Sequence, residues 1–418
     1  MSEPWSTVEQ AEKGVLAVTS LKVPARAAKK VFEQFQAGHG YEKSEGTGTL
    51  SDDTSDFVIG KQSIKFVTKG DEALNRVRKK SVGPYDFSGR DLRITFKIEG
   101  LENVEGFEVF LSSDNLSTNN VHYPISIPVQ PYVADGEWAS VTISWGDLAN
   151  NFPPGTIARN KVNFVEVRLE DDGSGTPVTF HLNEVAAVPE PAAGVVSIVF
   201  DDGYGSTYTR ARPSLDRYGF RASAVIIRDL IGTANYMTLA QLRALQDQSG
   251  WDVAAHADTV ANHNTGYANL EDSVVEKELR GIKRWLLENG FERRDVFAWP
   301  QGSFTASQMV MARRFFNAVR GTTGGNGGAG GAQETFPPGD NGRLRTWTVG
   351  STQTKAEVEA ALSQCSTNKG WLILSFHELV ASGASGGTQT NEATFSQMVD
   401  AISASGLGVK TLAEVMES

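Results

Sequence analysis

The run "AVPEPAAG" at 187–194 separates two stretches whose apolar residues follow different periods, and this change constrains the fold more than any other feature of the chain. Upstream, apolar and polar residues alternate in short runs bounded by Gly, Asn and Asp. "LRITFKI" sets Leu92, Ile94, Phe96 and Ile98 on one face, because successive side chains of a strand point to opposite sides. "WASVTISW" sets Trp138, Val141, Ile143 and Trp145 together if a one-residue bulge follows Trp138, and "VNFVEVRL" and "VTFHLNEV" flank the turn "EDDGSGTP". Many short strands with such turns predict an antiparallel β-sandwich over 28–187, after an N-terminal arm at 1–27 that carries no long period.

Beyond the linker, 188–194, strand-like and helix-like patterns alternate through 195–418. "GVVSIVF" is a continuous apolar run of the kind buried on both faces of a parallel sheet. "MTLAQLRALQ" opens with a Thr238/Gln241 capping box, and Val275, Leu279, Ile282 and Leu286 share one face of a helix that Gly290 ends. Further strands are read at "RASAVII", "WDVAA", "DVFAW", "FNAVRG", "RTWTV", "WLILSF" and "LGVKTL". This alternation predicts an α/β, barrel-like fold.

Charge narrows the partners. A formal net charge of -11 without a dense Lys/Arg tract argues against nucleic acid and anionic membranes. No stretch reaches the ~18 apolar residues a membrane span needs, so no membrane insertion is expected. The polar start "MSEPWSTVEQ" has no signal-peptide pattern, so a protein expected to act outside cells or at their surface is read either as a mature form or as one that reaches its substrate by another route, such as on a virus particle. The single cysteine, Cys365, excludes an intrachain disulfide and reads as a core residue. The glycine stretch 321–333 lacks the Lys-Ser/Thr ending of a phosphate loop and reads as a loop.

Chemistry concentrates where the parallel strands end. "IVFDDGYG" delivers Asp201 and Asp202, "AAHADTVANH" delivers His256 and His263, and "LILSFH" delivers His377. Residues at the carboxyl ends of such strands converge on one face. Asp202, His256 and His263 would then form a two-imidazole, one-carboxylate set for a divalent cation such as Zn2+, with Asp201 to accept a proton and His377 to donate one. Taken singly, Asp-Asp-Gly is a turn and His256 a core residue; the conjunction at separate strand ends gives the set its weight.

These residues resemble the motifs of the polysaccharide deacetylase family (carbohydrate esterase family 4, the NodB homology domain). "VFDDGY" is similar to the first motif, "FAWPQGSF" to the third, and "LILSFHE" to the last, over about 195–415. The resemblance implies a distorted, incomplete (β/α)7 barrel and removal of N-acetyl, or less commonly O-acetyl, groups from an acetylated polysaccharide. It implies Asp201 as base, Asp202, His256 and His263 as metal ligands, and His377 as acid. Pro300 and a backbone N–H near Gln301 would face the acetyl group, with Trp299 and Trp371 along the sugar groove or in the core.

Two departures matter. The histidines of the second motif stand seven apart rather than four, so the loop must fold His263 back, with Asp258 and Asn262 as reserve ligands. Where the third motif commonly carries an Arg that orients the base, this chain has Ala298, and Arg345 is expected to substitute. In the sandwich, Tyr85, Tyr123, Tyr132 and Trp138 are candidate sugar contacts against a purely structural or oligomer-forming role. "SDDTSD" reads as a turn, with a Ca2+ site through Asp52, Asp53 and Asp56 as the alternative. The rival functions are a C–N hydrolase acting on a cyclic amide, and a non-catalytic glycan-binding or virion structural protein.

Overall fold

A computed structural model describes residues 30–115, 120–124, 133–147, 149–150, 157–321, 333–336 and 338–417. The expected arm at 1–27, Tyr132 and nearly all of the glycine stretch lie outside these residues, as does the side chain of Tyr123.

The first half folds as two antiparallel sheets around one apolar core. One sheet runs Thr49–Asp53, Ser63–Val67, Thr179–Pro189, Arg90–Glu99, Ala139–Ile143, with Lys30–Glu33 also on Thr179–Pro189; the other is built on Val104–Ser112, Val162–Asp171 and Leu74–Tyr85. Leu92, Ile94, Phe96 and Ile98 all face the core, at most 1% exposed. The expected bulge after Trp138 is absent: Ala139, Val141 and Ile143 pair in regular register with Phe96, Ile94 and Leu92. Trp138 therefore points to the opposite face, where its indole N–H donates to Asp56. The strand Thr179–Pro189 runs two residues past 187, so the connection to the second half is shorter than the linker read from the sequence.

The second half is built on a parallel sheet. Its strands are β1 (Val195–Phe200), β2 (Ser223–Ile227), β3 (Asp252–Ala257), β4 (Val296–Ala298), β5 (Ala318–Arg320), β6 (Trp347–Thr348), β7 (Trp371–Phe376) and β8 (Gly408–Val409). The order across the sheet is β5-β4-β3-β2-β1-β7-β6, with β8 on β1. Helices α1 (Leu239–Ser249), α2 (Val260–Thr265), α3 (Asp272–Glu288), α4 (Ala306–Ala312), α5 (Lys355–Asn368) and α6 (Glu392–Ala404) connect the strands. The Thr238/Gln241 box caps α1, and α3 buries Val275, Leu279, Ile282 and Leu286.

The two edges of this sheet are brought together by residues 341–349. The Val319 and Gly321 N–H groups of the β5 edge donate to the Asn341 and Leu344 carbonyls, and Leu344 N–H donates back to Val319. A few residues later, β6 pairs with β7 and Val349 N–H donates to Ser375. This curls the sheet into a barrel-like form, and the carboxyl ends of its parallel strands, which carry Asp201, His256 and Arg320, open on one side. Among the described residues no helix is long and apolar enough to cross a membrane.

The same segment joins the halves. Arg345 donates to the Thr142 carbonyl of the sandwich at 2.9 Å, Arg93 to the Pro338 carbonyl at 3.1 Å, and Arg343 pairs with Glu137. On an adjacent face, the Gln364 and Asn368 amides donate to Asp147. Cys365 is a core residue, its thiol pushed up to about 11 by burial.

Candidate active site

The site begins where β1 stops. Asp202 and Gly203 both take the left-handed conformation, at φ 70° and 84°, a turn unusual for a non-glycine residue and costly unless its surroundings enforce it. Asp201 N–H is bonded to the Phe376 carbonyl of β7, which anchors the turn. The consequence is that two adjacent carboxylates diverge and meet different partners.

Asp201 points inward and is 4% exposed. One oxygen pairs with the Arg320 guanidinium, and the other accepts from Ser375 Oγ at 2.8 Å, with His377 Nε2 at 3.8 Å. Burial pushes this carboxyl up, but the charges of Arg320, His377 and His256 outweigh it and hold the group below the ordinary carboxylate range. Asp201 is thus an anion at neutral pH, held in place from two sides.

Asp202 points towards β3. Its Oδ1 lies 3.5 Å from His256 Nε2 and 3.3 Å from His263 Nε2, and the two imidazole nitrogens are 3.2 Å apart. The far nitrogen of each ring fixes its tautomer. His256 Nδ1 is 2.9 Å from the Ala298 carbonyl, which can only accept, so Nδ1 bears the proton and Nε2 the lone pair. His263 Nδ1 faces Asn264 Oδ1 at 3.1 Å in the same sense. Two lone pairs and a carboxylate oxygen with no hydrogen bond of its own thus face one another in a buried pocket. Such a pocket demands positive charge. Burial pushes Asp202 up and His263 down, yet their attraction prevails, keeping the carboxyl below its usual range and the imidazole above its own. A divalent cation satisfies the same three atoms without a proton, and one carboxylate with two imidazoles is a donor set suited to zinc.

The seven-residue spacing of the histidines is accommodated by Glu278, a buried residue of α3 that sequence reasoning did not single out. Its carboxylate accepts from the N–H groups of Asp258 and Thr259 at 2.9 and 3.0 Å, the Thr259 hydroxyl at 2.8 Å, the Asn262 amide at 2.7 Å and the Tyr267 hydroxyl at 3.1 Å. Together with Asp229, which accepts from Val260 N–H, it fixes the start of the short helix α2. That one and a half turns carries His263 back over His256. At the other end of α2, the Gln301 amide donates to the His263 and Asn264 carbonyls at 3.3 and 2.9 Å. The proposed reserve ligands are engaged elsewhere: Asp258 makes a two-point pair with Arg228, and Asn262 serves Glu278.

Other expectations need correction. Arg345 does not take the role of the missing third-motif arginine. Its guanidinium bonds Glu334 and the Thr142 carbonyl, and the guanidinium on Asp201 belongs to Arg320, at the end of β5. Trp371 is fully buried at the start of β7, its indole N–H on Ser197 Oγ, and Trp299 is 1% exposed among Tyr267, Phe297 and Phe304. Neither ring faces a groove. Pro300 is buried, whereas the backbone of Gln301 is left-handed at φ 56° and its side chain is exposed. In the sandwich, Tyr85 stacks on Phe32 and its hydroxyl bonds Glu33. The three carboxylates of "SDDTSD" go separate ways, Asp52 to His39, Asp53 to its own turn and Asp56 to Lys97 and Trp138, and so form no cation cage.

One further pair borders the site. Tyr204 and Tyr236 stack with ring centroids 5.0 Å apart and planes 20° from parallel, both half-buried.

Residues 189–315 match the family model for polysaccharide deacetylase. A putative polysaccharide deacetylase, YxkH of Bacillus subtilis (strain 168), is 25% identical over 129 residues, which are 30% of this chain and 43% of that protein. The chain thus spans less than half the length of this curated relative. Among solved structures, the Streptococcus pyogenes deacetylase PplD in complex with acetate shares 25% identity over 32% of this chain and 58% of its own, at a TM-score of 0.30. A family 11 carbohydrate-binding module from Clostridium thermocellum matches 39% of this chain and 96% of its own at 12% identity and a TM-score of 0.31.

Proposed function

We propose that the C-terminal half of the chain, in which residues 189–315 match the polysaccharide deacetylase family model, hydrolyses N-acetyl or O-acetyl groups from a polysaccharide in a metal-dependent reaction. The observation that carries this reading is the convergence of Asp202 Oδ1 with two imidazole lone pairs whose tautomers are set by Ala298 and Asn264. A divalent cation bound there, zinc by the donor set, would acidify a water and polarise the acetyl carbonyl. The path of seven parallel strands fits the incomplete (β/α)7 barrel expected from the motifs.

Each neighbouring residue then has a task. Asp201 is an anion beside the ligand Asp202, and it accepts the proton of the attacking water. Arg320 and Ser375 keep its carboxylate aimed and ionised. His377, with its Nε2 towards Asp201, gives a proton to the departing sugar nitrogen or oxygen. The left-handed backbone at Gln301 offers an N–H for the developing oxyanion. The sandwich is read first as a structural partner, since its strand Ala139–Ile143 bonds the segment that closes the barrel.

The test is acetate release from a panel of acetylated oligosaccharides by zinc-loaded protein, chelator-treated protein and Asp201→Asn. Chelation is expected to abolish release and zinc to restore it, with Asp201→Asn lower by roughly 10²–10⁴-fold. Release that survives chelation would refute metal dependence. No release from any member, with turnover of a cyclic amide instead, would favour the rival hydrolase.

A further inference from the structure

We propose that Tyr204 and Tyr236 form a preorganised platform on which the pyranose ring bearing the acetyl group stacks. This deepens the deacetylase reading and rests on it. Four observations carry it. The rings are stacked, with 5.0 Å between centroids, yet neither residue is fully buried. Tyr204 follows the ligand Asp202 by two residues, and its turn is bonded through Ser206 to Leu379, two residues past His377. The pair is therefore anchored beside Asp202 and the strand end that bears the expected acid, where the sugar bonded to the acetyl group must lie.

The backbone around the rings is fixed from both sides. Gly205 N–H donates to the Asn235 carbonyl at 2.7 Å and Met237 N–H to the Gly203 carbonyl at 2.9 Å, forming a short antiparallel bridge between residues 204 and 236. Asn235 takes a left-handed φ of 70° to make that bridge. On the other side, Leu379 N–H donates to Ser206 Oγ at 3.0 Å, which ties the Tyr204 turn to the end of β7. Sugars present flat C–H faces that aromatic rings bind, and rings held in place lose little entropy when they do so. Trp299 and Trp371, which the sequence offered for this task, are buried in the core and do not compete with the two tyrosines for it.

The experiment measures calorimetric affinity of the zinc-loaded Asp201→Asn protein for N-acetylated chitotetraose and O-acetylated xylotetraose, with Tyr236→Ala, Tyr236→Phe and Tyr204→Phe added. Acetate release by the wild type on the same oligomers is measured in parallel. For the oligomer bound more tightly, Tyr236→Ala is expected to weaken binding about tenfold, while either Phe variant stays within about threefold. Affinity of Tyr236→Ala within twofold of its parent overturns the platform, as does an equal loss in the Ala and Phe variants or a parent that binds neither oligomer. If the wild type releases acetate and Tyr236→Ala binds normally, the platform fails and the deacetylase reading stands. If the tyrosine dependence holds without any acetate release, the platform stands and the deacetylase reading fails.

Discussion

Replacing Arg320 with Gln tests the assignment of the guanidinium behind Asp201. Arg320 and Asp201 have side chains 1% and 5% exposed, so the pair is sheltered from screening. Removing one member of a buried pair leaves a charge with nothing to balance it, a cost of about 3–5 kcal/mol. Asp201 would retain the Ser375 hydroxyl, the His377 ring and the more remote His256, none of which replaces a paired guanidinium. It can escape the penalty by taking up a proton, so its carboxyl should rise from below the ordinary range to above it. A protonated Asp201 cannot accept a proton from water. Turnover should therefore fall at neutral pH and recover partly as pH rises, whereas the wild-type acidic limb should not be set by Asp201 at all. Urea denaturation of zinc-loaded protein and acetate release from pH 5 to 9 read both effects. Asp201→Asn combined with Arg320→Gln should be more stable than Arg320→Gln alone, because the orphaned charge is gone, and this cycle isolates the pair. A stability loss under ~1 kcal/mol, or a double variant whose losses simply add, would refute the reasoning.

Three other perturbations follow from the same geometry. Arg345→Ala should lower the thermal midpoint, since Glu334 loses its buried partner, but leave kcat within about twofold; a fall in kcat without loss of stability would restore the role expected from the sequence. Glu278→Ala should weaken zinc binding by roughly 10–100-fold in chelator competition, because α2 loses the acceptor that positions His263, and an unchanged affinity would remove Glu278 from the scheme. In the sandwich, burial pushes Asp91 up to about 7, against the opposing Trp145 N–H. Its folded value lies above its unfolded one, so the fold holds a proton that the unfolded chain releases. That contribution is full below about pH 4 and is lost as pH rises through 7, by a few kcal/mol at most. Asp91→Asn should flatten the stability profile between pH 5 and 8, and an unchanged slope in urea melts would show that Asp91 is not its source.

Much of the scaffold was legible because periodicity is a local signal. The alternation in "LRITFKI", the capping box at Thr238 and the stripe on α3 each rest on neighbours a few residues apart. The polar strand ends were legible by the same logic, since one rule about carboxyl ends collected Asp201, Asp202, His256 and His377. Applied to "FNAVRG", that rule would have found Arg320, which closes β5 as the histidine follows β7. The substitute expected for the missing arginine was instead Arg345, and nothing in the sequence says that this residue faces the sandwich. Glu278 was hidden for a different reason. It lies on the buried side of an otherwise amphipathic helix, and only the folded loop supplies the donors that make burying a carboxylate affordable. The tryptophans mislead because a large ring suits a core as well as a groove, and a sequence carries no information on which side of a strand faces the ligand.

The segment from 333 to 349 has a consequence for how this chain can be divided. Glu334 pairs in backbone with Trp371, Leu344 with Arg320, and Arg343 and Arg345 reach into the sandwich, so one stretch is both a stave of the barrel and its clasp to the preceding domain. The connection near residue 190 thus looks like a place to cut but is not one. Excising the N-terminal half would strip partners from two buried arginines and loosen the very edge on which Arg320 is hung. A transplant of either half would have to carry the other's side of this clasp, Glu137 and the Thr142 carbonyl on one part and Arg343 and Arg345 on the other.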